Sequence, residues 1–174
     1  LPASPYGISK LAVEHYLTCW GTLYGIKGVA LRYANVYGPR QNPLGEAGVV
    51  AIFSRRLLRG EPAIINGDGK QTRDYVYVGD VAEANLLALE RPEVTGAVNI
   101  GTGVETSVID LFKRLRAVAG ISGEARHGPP KAGEQRRSVL DITLAKRLLG
   151  WTPRVALDEG LHRTIEHFKK ETTR

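Results

Sequence analysis

The string Ser4-Pro5-Tyr6-Gly7-Ile8-Ser9-Lys10 sets a tyrosine and a lysine four positions apart at the mouth of a helix. Ser4-Pro5 is a turn and start signal, because a proline in the first helical turn sacrifices no hydrogen bond. Apolar residues then recur at Ile8, Leu11, Ala12, Tyr16, Cys19, Trp20 and Leu23. That spacing predicts one helix over residues 5–25, ended by Gly25 and Gly28. Positions i and i+4 share a helix face, so the Tyr6 phenol and the Lys10 ammonium can serve one site. A phenol with its ordinary pKa of about 10 is a poor base. A neighbouring ammonium and a helix N-terminus both favour the phenolate. Such a pair can take a proton from a sugar hydroxyl while a hydride leaves the same carbon. The plainer alternative is a partly buried aromatic beside a solvated lysine.

The 174 residues suit one domain, or one and a fraction, and at 43% hydrophobic and 24% charged they can bury a core. The net charge of +6 raises nucleic acid as a partner. No basic face with interleaved aromatics accompanies it, so arginines serving an anionic ligand or lying on solvated helix faces explain it better. No apolar run reaches membrane-span length and no signal peptide opens the chain, so no membrane is expected. Cys19 is the single cysteine, which rules out an internal disulfide. His15, His127, His162 and His167 lack metal-ligand spacing, so no metal is expected either. The cytoplasm is the default compartment.

Further along, strand and helix signals alternate, and the fold class is α/β. Gly28–Tyr33 reads as a buried strand and Asn35–Pro39 as the loop leaving it. Residues 40–48 read as a polar loop and Val49–Arg59 as a helix with Val50, Phe53, Leu57 and Leu58 inward. Pro62–Ile65 and Thr72–Val78 are strands around a Gly67-Asp68-Gly69 turn, and Asp80–Glu90 is a helix. Ala97–Ile100 is a strand, Ser107–Val118 a helix with a Leu111, Leu115, Val118 stripe, and Gly120–Ala132 a long connection. Asp141–Leu149, with Leu144, Leu148 and Leu149 apolar, and Leu157–Lys169, with Leu161, Ile165 and Phe168 inward, are the last helices. Asn35, at a strand's carboxyl end, is either a ligand donor or a turn asparagine. Arg73 has a planar guanidinium that suits a diphosphate, or it pairs with Asp74 or Asp80. Glu134 can accept two hydrogen bonds from a vicinal diol. Gly101-Thr102-Gly103 lacks its third glycine, since Thr106 stands there, and is not a dinucleotide fingerprint.

Five strings along the chain, SPYGISKLAVEHY (4–16), LRYANVYGPRQNP (31–43), GDGKQTRDYVYVGDVAEA (67–84), KAGEQRRS (131–138) and LGWTPRVALDEGLHRTIEHF (149–168), carry a resemblance in register. They resemble the NAD-dependent nucleotide-sugar epimerases and dehydratases of the extended short-chain dehydrogenase/reductase family. The resemblance implies the C-terminal portion of an NAD-binding Rossmann fold, roughly 1–40 and 71–105, plus a small α/β substrate-binding domain, roughly 41–70 and 106–174. It implies NAD-dependent epimerisation at C4 of a UDP-sugar through a 4-keto sugar, with Tyr6 as base and Lys10 lowering its pKa and holding the nicotinamide ribose. It further implies that the backbone near Ala34 touches the nicotinamide and that Asn35 contacts the sugar. Val50 would give a backbone contact to substrate, Ala63, Ile64 and Ile65 would pack on the base, and Arg73 would bind the diphosphate.

The family's Arg-Pro-Gly-acid stretch corresponds to Lys131–Glu134. Lys131 keeps the charge there without the arginine fork, or Arg136 substitutes for it. Glu134 would hold the ribose. Ser138 falls where a bulky tyrosine limits the sugar in some members, so an N-acetyl sugar would fit, unless it is an ordinary loop serine. A homodimer through the 5–25 helix is also implied. The chain begins at Leu1 and contains no methionine, which reads as a fragment whose upstream half holds the Gly-rich loop and the catalytic Ser/Thr; alone it is expected to be inactive. A dehydratase or decarboxylase on the same scaffold is the nearest rival. A non-enzymatic binding module would leave Tyr6 and Lys10 idle.

Overall fold

The computed structural model describes residues 2, 4–44, 48–131 and 133–172. In chain order these are α1 (Pro5–Tyr24), β1 (Val29–Tyr33), β2 (Asn35–Tyr37), α2 (Val49–Leu58), β3 (Ala63–Asn66), β4 (Thr72–Tyr77), α3 (Val78–Leu89), β5 (Gly96–Ile100), β6 (Glu105–Ser107), α4 (Val108–Ala119), β7 (Ala125–Gly128), a π-helical turn (Ala145–Leu149) and α5 (Leu157–Thr172). The Ser4 hydroxyl accepts the Gly7 N–H at 3.1 Å and caps α1, with Pro5 in its first turn. Gly25, at φ 68°, ends the helix as a left-handed cap that glycine adopts without strain.

Three small sheets carry the strands. β1 lies parallel to β5, Val29 opposite Gly96 and Tyr33 opposite Ile100. β2 is parallel and β6 antiparallel to the central β4, and β3 is parallel to β7. Two cores sit on the two faces of the β2–β4 pair, because alternate strand residues point to opposite sides. Val36 and Val76 face Val98, Ile100, Leu149 and Trp151. Tyr37 and Tyr75 face Phe53, Leu57, Leu111, Leu115, Leu161 and Ile165.

Three local expectations are corrected. Residues 35–37 are not loop: they pair with β4, Asn35 opposite Tyr75 and Tyr37 opposite Tyr77. Three residues are too few to show an alternating pattern, and the neighbouring strand supplies the order. The connection 120–132 contains β7, whose Ala125-Arg126-His127-Gly128 lacks apolar alternation and pairs with β3 on one edge alone. The helix expected at 141–149 begins at Thr143 and widens into the π turn, so Ala145 and Leu149 are buried while Leu144 and Leu148 are exposed. The wider turn closes with the Trp151 N–H on the Ala145 carbonyl at 3.3 Å and rotates the apolar face by a fraction of a turn. Within the expected loop 40–48, residues 45–47 lie outside the described residues, as does Ala132.

α1 buries none of its residues within this chain, and Tyr16, Trp20 and Leu23 lie exposed. Among the described residues no helix is long and apolar enough to cross a membrane.

Two buried carboxylates tie the elements together. Asp74 Oδ1 accepts the Thr102 N–H at 2.8 Å and its hydroxyl at 2.6 Å. Its Oδ2 accepts Gly103 N–H at 3.0 Å and Leu140 N–H at 3.3 Å. Asp80 Oδ2 accepts the N–H groups of Arg154 and Val155, and its carbonyl accepts Trp151 Nε1 at 2.9 Å. Asp74→Ala would take the acceptor from four part-buried hydrogen bonds, and we expect a loss of about 3 kcal/mol in urea unfolding. A loss under about 1 kcal/mol would show that the carboxylate does not hold these segments together.

Candidate functional site

Tyr6 stands in the first turn of α1, 71% exposed. The Lys10 ammonium lies 5.1 Å from its ring centroid, over the π face. The spacing read from the sequence thus does bring the two side chains together, on an accessible surface. Ala34 follows β1, and its N–H is committed to the Ile100 carbonyl at 2.8 Å. Asn35 opens β2 and is exposed.

Asn35 is opposite Tyr75, and Arg73 lies two residues before Tyr75. Strand alternation therefore puts Asn35 and Arg73 on the same face of the sheet. Arg73 is 17% exposed and its partner Glu134 26%. Arg73 Nη2 donates to Glu134 Oε1 at 3.1 Å, and Nη1 donates to the carbonyls of Thr72 and Gln135, each at 2.7 Å. Neither Asp74 nor Asp80 pairs with it. Asp74 is on the opposite face of β4, and both acids are occupied by backbone N–H groups. A guanidinium has five N–H donors, so three are used here and two remain, Nε–H and one Nη2–H. Those two are left for the oxygens of an anion.

The segment that brings Glu134 here is fastened to β4 and β6. Thr72 N–H donates to the Arg136 carbonyl at 2.9 Å. Arg136 forks onto Asp68 at 3.1 and 3.3 Å. Arg137 forks onto Glu105, which also accepts the Thr72 hydroxyl at 2.7 Å. Glu105 and Gln135 gave no signal in the sequence, since both act through contacts between strands and a distant loop. Lys131 is exposed and lines a recess of about 80 Å3 with Asn66, Gln71 and Glu134. Ser138 is half-buried on the same segment.

The base-facing residues divide by alternation. Ala63 and Ile65 are fully buried, whereas Ile64 is 49% exposed. The N–H groups of Ala63 and Gly67 donate across to β7, at 3.0 Å to Glu124 and Gly128. The Ile64 N–H and carbonyl therefore point to the opposite edge of β3, which no described strand covers. Val50 is buried and sits in the first turn of α2, whose Gly48 cap offers no side chain, so its N–H is one of the donors without a helical partner. Among the described residues no group of three His, Cys, Asp or Glu could hold a metal.

Residues 1–101 match the model of the NAD dependent epimerase/dehydratase family. The UDP-glucose 4-epimerase of Mycolicibacterium smegmatis is 47% identical over 171 residues, which are 98% of this chain and 55% of that protein. The crystal structure of the UDP-glucose 4-epimerase of Thermotoga maritima with UDP-glucose superposes with a TM-score of 0.94 at 54% identity, over 99% of this chain and 55% of that one. The Thermus thermophilus UDP-glucose 4-epimerase in complex with NAD gives a TM-score of 0.91 at 46% identity, over 97% and 55%. This chain therefore spans a little over half the length of these three relatives.

The Arg137 and Thr72 hydrogen bonds hold the Glu105 carboxyl down, from 4.5 to about 2. A depressed carboxylate stabilises the fold above its unfolded pKa and stops doing so as pH falls through the folded value. Acid titration of stability should thus steepen between pH about 4.5 and 2, and Glu105→Gln should flatten that limb. An unchanged limb in the variant would mean Glu105 does not anchor the segment. With the family model matching residues 1–101 and a relative 47% identical over 98% of this sequence, the chain belongs to the NAD dependent epimerase/dehydratase family.

Proposed function

We propose that these residues serve NAD-dependent epimerisation at C4 of a UDP-sugar, UDP-glucose and UDP-galactose before others. The observation that carries this reading is the Arg73–Glu134 pair, an anion grip and a diol acceptor 3.1 Å apart on elements 61 positions apart in the chain. The free Nε–H and Nη2–H donors of Arg73 take the diphosphate, with Lys131 and the Val50 N–H at the positive end of α2 adding to them. Glu134 keeps Oε2 for the ribose hydroxyls. The uncovered Ile64 N–H and carbonyl match the acceptor–donor edge of a uracil, with the β3 residues Ala63 and Ile65 fixing the strand from inside. Asn35 donates to the sugar, and Ser138 leaves room for an N-acetyl group.

Tyr6 takes the proton of the 4-hydroxyl and returns it to the same oxygen after the 4-keto sugar has turned to present the other face of C4. NAD, when bound, supplies the hydride acceptor at the same carbon. Lys10 and the backbone at Ala34 are where this chain would hold it, and the Lys10 ammonium over the Tyr6 ring is accessible enough for both tasks. The remainder of the nucleotide-binding domain is proposed at 1–40 and 71–105, and the substrate domain at 41–70 and 106–174. The uncovered aromatic stripe of α1 supports a homodimer through that helix. The free, exposed Cys19 suits the cytoplasm.

Arg73→Ala should weaken UDP binding, measured by calorimetry, by about 2–3 kcal/mol. Unchanged affinity would remove Arg73 from the site. In the enzyme completed to the length of its relatives, Tyr6→Phe should lower turnover at least about a hundredfold with UDP affinity intact. Full activity would rule the phenol out as the base.

A further inference from the structure

Asn35 on β2 and the Val50 N–H on α2, both read above as substrate contacts, belong to separate elements, and Gln41 bridges them. Its Nε2 donates to the carbonyl of Val36, next to Asn35, at 3.0 Å. Its amide also presses on Gly48, the N-cap of α2. A Cβ on Gly48 would stand 2.6 Å from Nε2 and 3.1 Å from both Cδ and Oε1. The Gly48 backbone, at φ −64° and ψ 143°, is one that any residue adopts. Glycine is needed there because Gln41 is so near.

This arrangement costs local stability twice. Arg40, at φ 67°, is the only residue other than glycine in the left-handed region among the described residues, and a Cβ makes that region unfavourable. The turn it makes, closed by the Gln41 N–H on the Gly38 carbonyl at 3.4 Å, sends the Gln41 side chain back to β2. Gln41 Oε1 is buried without a hydrogen-bond partner. A leucine would fill the space against Gly48 with no orphaned atom, but it could not bond the Val36 carbonyl. The tie to β2 is what the amide adds.

Gln41 braces the helix start without capping it. The first backbone bond of α2 runs from the Ile52 N–H to the Gly48 carbonyl at 3.2 Å. The N–H groups of Val49, Val50 and Ala51 therefore have no helical acceptor, Gly48 has no side chain to offer, and Gln41 Oε1 takes none of them. We propose that Gln41 is a positioning residue, a role that rests on the reading of α2 as part of the diphosphate site. Through Val36 and Gly48 it fixes the start of α2 relative to Asn35 and so aims those donors at the diphosphate. With Oε1 buried, Gln41 acts through α2 rather than by touching the ligand.

The test is UDP calorimetry on the 174-residue chain. Gln41→Leu, which fills the space but loses the Val36 bond, should weaken UDP about tenfold with the melting temperature close to the parent's. Gly48→Ala should weaken UDP by a similar factor, because its methyl displaces the amide. Gln41→Ala should weaken it too, and adding Gly48→Ala to Gln41→Ala should bring no further loss, since the methyl then has room. In the enzyme completed to the length of its relatives, Gln41→Leu should raise KM for UDP-glucose about tenfold and leave kcat within about twofold, because the diphosphate does not react. Independent, multiplying effects of the two alanines overturn the proposal, as does a fall in kcat at unchanged KM. If Arg73→Ala weakens UDP and Gln41→Leu does not, Gln41 alone loses its role. If no variant changes UDP binding, or the parent binds none, the diphosphate reading falls and the role of Gln41 with it.

Discussion

The Asp74 carboxylate is the interaction on which the rest of this structure depends. It is buried at the centre of β4 and satisfied by four hydrogen bonds, two from Thr102, one from Gly103 and one from Leu140. A charge so placed is tolerable only because every donor reaches it. Its partners come from two remote places, the turn after β5 and the segment that carries Glu134. The approach at the turn is so close that a Cβ on Gly101 would stand 2.5 Å from Asp74 Oδ2. One side chain thereby locates the sheet end, the turn and the ligand-facing loop relative to each other.

Arg73 and Asp74 divide the work of β4 because adjacent strand residues point to opposite faces. Asp74 faces inward and fixes the scaffold. Arg73, on the face of Tyr37 and Tyr75, is steadied by two backbone carbonyls rather than by the neighbouring acid. A guanidinium held this way has already lost most of its rotamer freedom before any anion arrives, which lowers the entropic cost of binding. Asp80 has the equivalent role at the start of α3, where it docks the segment from Trp151 to Val155. The position of α5 follows from that contact.

Much of the architecture was legible along the chain. The bounds of α1, α2, α4 and β4 lie within a residue or two of where periodicity, Ser4, Pro5 and Gly25 put them, because these signals act locally. The elements that periodicity does not reveal, β2 and β7, are short strands whose order comes from a neighbour. The π turn is hidden in the same way, since its widening depends on how Ala145 and Leu149 meet the core. The Tyr6–Lys10 pairing was legible for the same reason as the helix: residues four apart on a helix are always neighbours.

The sequence by itself determined the helices and most strands, the i,i+4 juxtaposition of Tyr6 and Lys10, and the chemical inventory of candidate ligand groups. Only the tertiary structure decided that Arg73 pairs with Glu134 rather than with Asp74 or Asp80, that Ile64 lies exposed on an open strand edge between buried Ala63 and Ile65, and that Gln41 ties the Val36 carbonyl to the start of α2. The physical reason is separation. Capping and periodicity are settled over a few residues by backbone geometry. A carboxylate's choice among competing donors is settled by which distant segments the two cores bring within hydrogen-bonding reach.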